Sequence, residues 1–451
     1  MAVSPARAVA FEILLRVERE DSYAAELLHS APLAKLSSRD HGLATELVMG
    51  VLRWQSLLDQ RLAAASSQKL ERLDGEVLAA LRLGVYQLKF LSRVPARAAI
   101  FESVELVKAA RKRSAASFVN AVLRKIAEAG AEEIFAEIGK APDASTLAQN
   151  AAHPPWLVDR WTEHYGLEAA RQICTHDQTV PGTAIHIHDD RSDTELAEAG
   201  VELAPGRLLS AARRVLVGDV TATRAYQEGR VSMQDEASQL VALLAGRGET
   251  IVDGAILDCC AAPGSKTALL ARRNPRAKVF ATELHPHRAR LLQNLSRMRN
   301  VYVVAADARH LPFVRTFDRI LADVPCSGTG TLARNPEIKW RLKVEDLHHL
   351  QSRQVAILKS ALAQLAIGGR LVYSTCSLER EENEAVVEAA LDTTAGFKVA
   401  DFKGDMEQLR QSGEMCWKDI ASLLAGPYLR TISGVHPCDG FFAAMIERNK
   451  G

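Results

Sequence analysis

The stretch AILDCCAAPGSKT, residues 255–267, decides the fold of the larger part of this chain. A short apolar run closes on Asp258, a turn of small residues follows, and a helix is expected from about Ser265. A strand feeding a tight turn and then a helix is the opening of a strand–helix–strand unit. The same grammar recurs downstream. AKVFATE (277–283), VYVVAAD (301–307), FDRILADV (317–324) and GRLVYST (369–375) are compact, apolar and β-rich, and HRARLLQNLSRM (287–298) and HHLQSRQVAILKSALAQLA (348–366) read as helices among them. Such alternation predicts an α/β domain over 251–451 with a mostly parallel sheet covered on both faces. Ligands of such sheets bind beyond the carboxyl ends of strands, near the switch point of the strand order. That rule singles out residues 260–266, Glu283, Asp307, residues 323–326, Thr375 and Cys376.

Upstream the grammar changes. Residues 1–130 show helical spacing and few strand signals, as in SAASFVNAVLRKI (114–126), where Phe118, Val119, Val122, Leu123 and Ile126 fall on one helical face. Ser37 or Ser38 and Asp74 are placed to cap helices, and Pro5 and Pro95 sit where a first turn tolerates proline. An all-α bundle is expected there. Residues 131–152 read as a linker, and 153–250 as a small α+β subdomain holding the strand candidates TAIHIH (183–188) and RRVLVG (213–218).

The chain has 451 residues, a length that predicts more than one domain, and a net charge of +1. Residues 1–130 hold 19 Lys and Arg against 14 Asp and Glu, and the remainder 37 against 41. Arg93, Arg97, Lys108, Arg111, Lys112, Arg113, Arg124 and Lys125 form a late basic group, readable as a solvated face or as an RNA-contacting one. Seven cysteines without paired spacing argue against a disulfide framework and, lacking CxxC, against a zinc site, so no metal is expected. No leader or membrane-length apolar run is evident, and a cytoplasmic monomer without membrane contact is the expectation.

The candidate site begins with Cys260, Ala261, Ala262, Pro263, Gly264, Ser265 and Lys266. Small side chains let a ligand approach the backbone, and a helix N-terminus attracts an anionic group. The turn is not GxGxxG, which argues against a dinucleotide oxidoreductase. Glu283 can accept hydrogen bonds from both hydroxyls of a ribose, and Asp307 can meet an adenine amine. Either acid alone reads more readily as an ordinary loop residue than as a ligand. In order and at strand ends, the three elements suggest an adenosine-containing cofactor with a carboxylate, a description S-adenosylmethionine (SAM) satisfies.

DVPCSGTG (323–330) and YSTCSLERE (373–381) narrow the reaction. Carbon 5 of cytosine is a poor nucleophile. A thiolate adding to carbon 6 makes the ring an enamine whose carbon 5 can attack a methyl sulfonium, and loss of the carbon-5 proton then expels the thiol. Asp323 can stabilise protonation at the N3 edge of the base. Spacing alone does not say whether Cys326 or Cys376 is the nucleophile. Cys174, Cys259, Cys416 and Cys438 read as small buried hydrophobes.

DCCAAPGSKT (258–267), DVPCSGTG, YSTCSLEREENE (373–384) and DGFFAA (439–444) together closely resemble the RNA cytosine-5 methyltransferases of the Sun/NSUN type. The resemblance implies a Rossmann-like class I SAM-dependent methyltransferase domain. It implies Cys376 as nucleophile, Cys326 in product release, and Asp323 and Lys266 near the target base. It also implies SAM contacts from residues 260–266, Glu283, Asp307 and Asp323. HGLATELVMGVLRW (41–54), LGVYQLKFL (83–91) and SFVNAVLRKI (117–126) resemble a NusB-like RNA-binding domain, as MQDEASQLVA (233–242) resembles the approach to the first catalytic strand. Small-subunit (16S) ribosomal RNA is the implied substrate, with transfer RNA or large-subunit (23S) RNA as alternatives. A catalytically inactive assembly or antitermination factor is the rival class. Two positions depart from the family pattern. Ser265 replaces a second glycine, and His186-Ile187-His188 stands where Arg-x-Asn is usual.

Overall fold

The computed structural model describes residues 3–20, 22–28, 36–129, 134–189, 191–248, 254–295 and 298–449. The chain forms two compact units, residues 1–180 with 332–341, and residues 181–331 with 342–451.

The first unit is all helical. Helices Pro5–Glu20, Ser38–Ala65, Gly75–Phe90, Ala96–Ala109 and Ala116–Glu128 pack through Leu47, Leu58, Leu62, Leu81, Val119 and Leu123, all buried. Ser37 caps the second of these, its hydroxyl accepting from the Asp40 amide, whereas the Asp74 side chain, at its cap position, takes no bond from the helix amides. Of the face expected at 114–126, Val119, Val122, Leu123 and Ile126 are buried and Phe118 is half-buried. The stretch expected as a linker carries helices Ile134–Gly139 and Ala144–Asn150, the latter packed on Pro155–Asp177, a helical segment broken at Gly166. Its residues 131–133, and the boundary expected at 250–251, lie outside the described residues.

Residues 332–341 join this unit although the sequence on both sides belongs to the other. Lys339 donates to the carbonyls of Arg53 (2.9 Å) and Ala152 (3.1 Å), Trp340 to that of Leu52 (2.6 Å), and Glu337 accepts from the Ala24 amide (2.8 Å). These bonds give the Lys339 ammonium, the Trp340 indole and the Ala24 amide partners that apolar packing would not supply.

The second unit opens with a four-stranded antiparallel sheet of β1 (Thr183–Ile187), β2 (Glu202–Pro205), β3 (Ala212–Val217) and β4 (Val231–Met233), in the order β2-β3-β1-β4. A nine-stranded mixed sheet follows. Its parallel part is β5 (Ala255–Asp258), β6 (Lys278–Glu283), β7 (Val301–Ala305), β8 (Phe317–Asp323) and β9 (Leu365–Thr375). Antiparallel strands β10 (Phe397–Ala400), β11 (Leu424–Ala425), β12 (Tyr428–Thr431) and β13 (Phe441–Arg448) complete it, β13 lying beside β9. The order β11-β12-β13-β9-β8-β5-β6-β7 reverses at β5, which has β8 on one side and β6 on the other. Alternate residues feed opposite cores. Ile256, Leu321, Val372 and Met445 face one side with helix Glu236–Ala245, and Leu257, Ile320, Tyr373 and Ala444 face the other with helix Val344–Ala363. Period-2 burial on both faces is why these strands read as continuous apolar runs.

Candidate active site

Strands β5, β6, β8 and β9 are parallel, so their carboxyl ends share one edge of the sheet. Register then decides which side chains meet. Asp323 pairs with Ser374 across β8 and β9, and the Val324 amide donates to the Ser374 carbonyl at 3.0 Å. Cys326 and Cys376 follow just beyond, and their sulfurs lie 3.4 Å apart. Close approach of glycine backbones holds the turns, with Gly330 donating to the Cys376 carbonyl (2.9 Å) and Gly440 to the Gly330 carbonyl (2.8 Å). A Cβ on Gly330 would stand 2.2 Å from the Gly440 oxygen. Both thiols are half-buried. The hydrogen bond with Cys376 is the largest of the effects that push the Cys326 thiol well above its ordinary range, followed by burial and by the negative charges of Cys376 and Glu382.

Lys266, in the first turn of helix Ser265–Arg273, reaches the same place from β5. Its Nζ is 2.8 Å from Asp323 Oδ2 and 5.5 Å from the centre of the Phe441 ring. Ser374 donates to Asp323 Oδ1 at 2.7 Å. Burial opposes the ammonium, but Asp323, through charge and hydrogen bond, and then Cys376 and Asp258 outweigh it and raise the Lys266 pKa. The ion pair is thus fixed as a pair. Ser374 and Phe441 were not singled out in the sequence.

The turn from β5 into that helix offers an anion site. Gly264 caps the helix at φ +114°, a left-handed conformation glycine adopts without penalty, and lends no side chain to the first-turn amides. Ser265 lies inside the helix, outside the left-handed region, so serine fits where glycine is usual. Beneath it Asp258 accepts from Thr267 (2.7 Å), and burial lifts its pKa to about 6. Cys260, Ala261, Ala262 and Pro263 form the turn itself, and burial pushes the Cys260 thiol up. Glu283 ends β6, nearly buried, with Oε1 accepting from the His285 amide (3.0 Å). Asp307 stands two residues past the end of β7 rather than on it. Hydrogen bonds from Arg309, its guanidinium 2.6 Å away, hold the Asp307 carboxyl down at about 2. First-turn amides and two acceptor carboxylates match a ligand that carries a carboxylate together with hydroxyl or amine donors.

Other expectations are settled by burial. Cys174, Cys259 and Cys438 are buried, their thiols pushed up by desolvation. Cys416 is exposed, contrary to the reading of it as a buried hydrophobe. Its backbone is what the fold uses, the Cys416 amide bonding the Leu208 carbonyl at 2.9 Å. His186, on β1, bonds Gln239 (2.8 Å), and His188 meets Ser232 (3.2 Å). Burial lowers both, His188 to about 3, so this pair is neutral and built into the small sheet. The basic group of the first unit is exposed apart from a half-buried Lys112, which pairs with Asp74 at 3.0 Å. Among the described residues no helix is long and apolar enough to cross a membrane, and no group of three or more His, Cys, Asp or Glu side chains could hold a metal.

The model of the family "16S rRNA methyltransferase RsmB/F" matches residues 244–447, and that of the NusB family matches residues 4–128. The probable ribosomal RNA small subunit methyltransferase B of Bacillus subtilis is 33% identical, with 100% of each chain covered. The solved structure of PH0851 superposes with a TM-score of 0.79 over 99% of this chain and 100% of that one, at 22% identity. NSun6 from Pyrococcus horikoshii, solved with SFG, gives 0.54 over 65% and 97%, at 19% identity. The two structural matches establish the shared fold. Full-length identity to a curated relative establishes more, and on it this chain belongs to the 16S rRNA methyltransferase RsmB/F family.

Proposed function

We propose that this chain transfers a methyl group from SAM to carbon 5 of a cytosine in 16S ribosomal RNA by covalent thiol catalysis. The observation that carries the reading is the pair of sulfurs 3.4 Å apart beside the Lys266–Asp323 ion pair. Methylation of an exocyclic amine needs no thiol, and two are here. The two sulfurs share a hydrogen bond in which either can be the donor, and the resemblance to the Sun/NSUN-type enzymes assigns Cys376 as the nucleophile. Cys376 adds to carbon 6 of the ring. N3 takes a proton from solvent as the sulfur adds, which offsets the negative charge brought into the ring. Asp323, held by Lys266 and Ser374, accepts a hydrogen bond from that N3–H, and the proton returns to solvent after release. SAM, when bound, supplies an electrophilic methyl group for carbon 5. The first-turn amides after Gly264 suit its carboxylate, Glu283 its ribose hydroxyls and Asp307 its adenine amine. The carbon-5 proton then passes to solvent as the bond to Cys376 breaks. Cys326 hydrogen-bonds the departing sulfur and so promotes release.

The target base has to be unstacked before carbon 6 is accessible. The exposed Arg93, Arg97, Arg111, Arg113 and Arg124 of the NusB-like unit suit phosphates, which makes binding salt-sensitive. Incubation with labelled SAM and 16S RNA, followed by bisulfite sequencing, tests the reading. A single protected cytosine is expected. Label on RNA without any protected cytosine overturns it, and label confined to transfer RNA or 23S RNA overturns the substrate.

A further inference from the structure

We propose that Glu382 is the positioning residue of the two-thiol site, its buried carboxylate gathering the Cys326 turn and the Cys376 turn onto one anchor. The inference rests on the reading of those cysteines as release group and nucleophile. Glu382 is 0% exposed. Its Oε1 accepts from the Ser327 amide (2.8 Å) and from Gln354 Nε2 (2.9 Å). Its Oε2 accepts from the hydroxyls of Ser327 and Ser377, the latter at 2.5 Å. The same Gln354 amide group also donates to the Pro325 carbonyl (3.0 Å). Asn383, the next residue, accepts from Thr375 Oγ1 (2.6 Å) and donates to the Ser377 carbonyl (3.0 Å). Both chain neighbours of each cysteine (Pro325 and Ser327, Thr375 and Ser377) are therefore tied to Glu382, Asn383 or Gln354.

A buried carboxylate is expensive unless its lone pairs are filled, and here four donors fill them. Apolar packing could join two turns at lower cost, so what the carboxylate adds is fixed geometry and a fixed negative charge. Cys326 feels that charge along with those of Cys376 and Asp323, and all three disfavour its thiolate. Lys266, paired with Asp323, is the nearby cation. Glu382 therefore holds the sulfurs in register and helps keep the proton on Cys326, leaving Cys376 to act.

Glu382→Gln tests this, since its oxygen can still accept the two N–H donors while the serine hydroxyls rotate to accept from its amide. Two readouts are needed, one of which does not depend on RNA. In iodoacetamide labelling of the free protein, followed cysteine by cysteine by mass spectrometry, the pH of half-labelling at Cys326 should fall by about one unit in Glu382→Gln. It should stay near the native value in Glu382→Asp, which keeps the charge. In methyl transfer, Glu382→Gln should lower kcat about tenfold or more with KM for RNA and SAM within about twofold. An unmoved Cys326 labelling pH together with an unchanged kcat overturns the proposal, as does a loss confined to KM. If the labelling pH shifts but the native protein leaves cytosine unmethylated, the functional reading fails and the positioning role stands.

Discussion

Two lysines in this chain are withdrawn from water, and their surroundings push them in opposite directions. Lys266, beside the paired thiols, has the Asp323 carboxylate 2.8 Å away, and its charge is favoured in spite of burial. Lys339, in the helical unit, has the carbonyls of Arg53 and Ala152 at 2.9 and 3.1 Å, and burial brings its pKa down to about 7 although Asp177 and Cys174 act the other way. The residue type is the same. A full opposite charge in contact outweighs desolvation, whereas carbonyl dipoles satisfy the hydrogens without outweighing it. Lys266 is therefore a permanent cation suited to holding a carboxylate against a reacting ring, and Lys339 a packing element whose charge depends on pH.

The largest expected effect separates the two by chemistry. Lys266→Met should reduce kcat/KM by about a hundredfold or more, because Asp323 loses the partner that fixes it. The comparison breaks if that variant turns over at the native rate. Asp323→Asn sharpens it by giving Lys266 the kind of neighbour Lys339 has. Activity should fall about ten- to a hundredfold, and the Lys266 pKa should drop towards that of Lys339. Titration of the variant with an amine-reactive reagent across pH 6–10 reads the change, and an unshifted Lys266 would contradict it.

Much of this site was legible in the sequence because parallel strands announce their own ends. Asp258, Glu283, Asp323 and Thr375 close apolar runs, so Cys326 and Cys376 could be placed near a common edge before any register was known. Their 3.4 Å separation could not, since it depends on Asp323 standing opposite Ser374. Glu382 was hidden for a different reason. It sits in LEREENE with Glu379, Glu381 and Glu384, and no spacing marks Glu382 as the acid that joins the two cysteine turns, Glu379 being buried as well. Residues 332–341 were hidden by their position, in catalytic-domain sequence but bonded to backbone 187 and 313 residues earlier in the Lys339–Ala152 and Glu337–Ala24 bonds. Strands β10 and β11, within 392–427, carry no motif and owe their place to edge pairing with β13 and β12.

A smaller effect, on stability, follows from Lys339. Its pKa is 10.5 when unfolded and about 7 when folded, so between these values the unfolded chain binds more protons and stability rises with pH. The slope is at most about 1.4 kcal/mol per pH unit, and below about 7 the full penalty is present. His153, pushed well below 6.5 by burial, acts with the same sign at lower pH, its neutral folded form losing stability as pH falls below 6.5. Lys339→Met should flatten the upper limb and leave the acid limb, as read from urea melts followed by tryptophan fluorescence between pH 5 and 10. Identical slopes in both proteins would contradict the assignment. Smallest of all, Gly264→Ala forces a side chain into φ +114° and against Leu292, 2.4 Å away. A weakening of SAM binding by roughly fivefold, about 1 kcal/mol, is expected by calorimetry.

The most direct test concerns the bond between sulfur and the pyrimidine. Cys326→Ala, mixed with SAM and 16S RNA, should give a slow-migrating protein–RNA band on a denaturing gel, because addition proceeds and release stalls. Adding Cys376→Ala to that variant should erase the band, and Cys376→Ala alone should bind SAM without turnover. A band that persists without Cys376, or full activity in Cys376→Ala, would contradict the account.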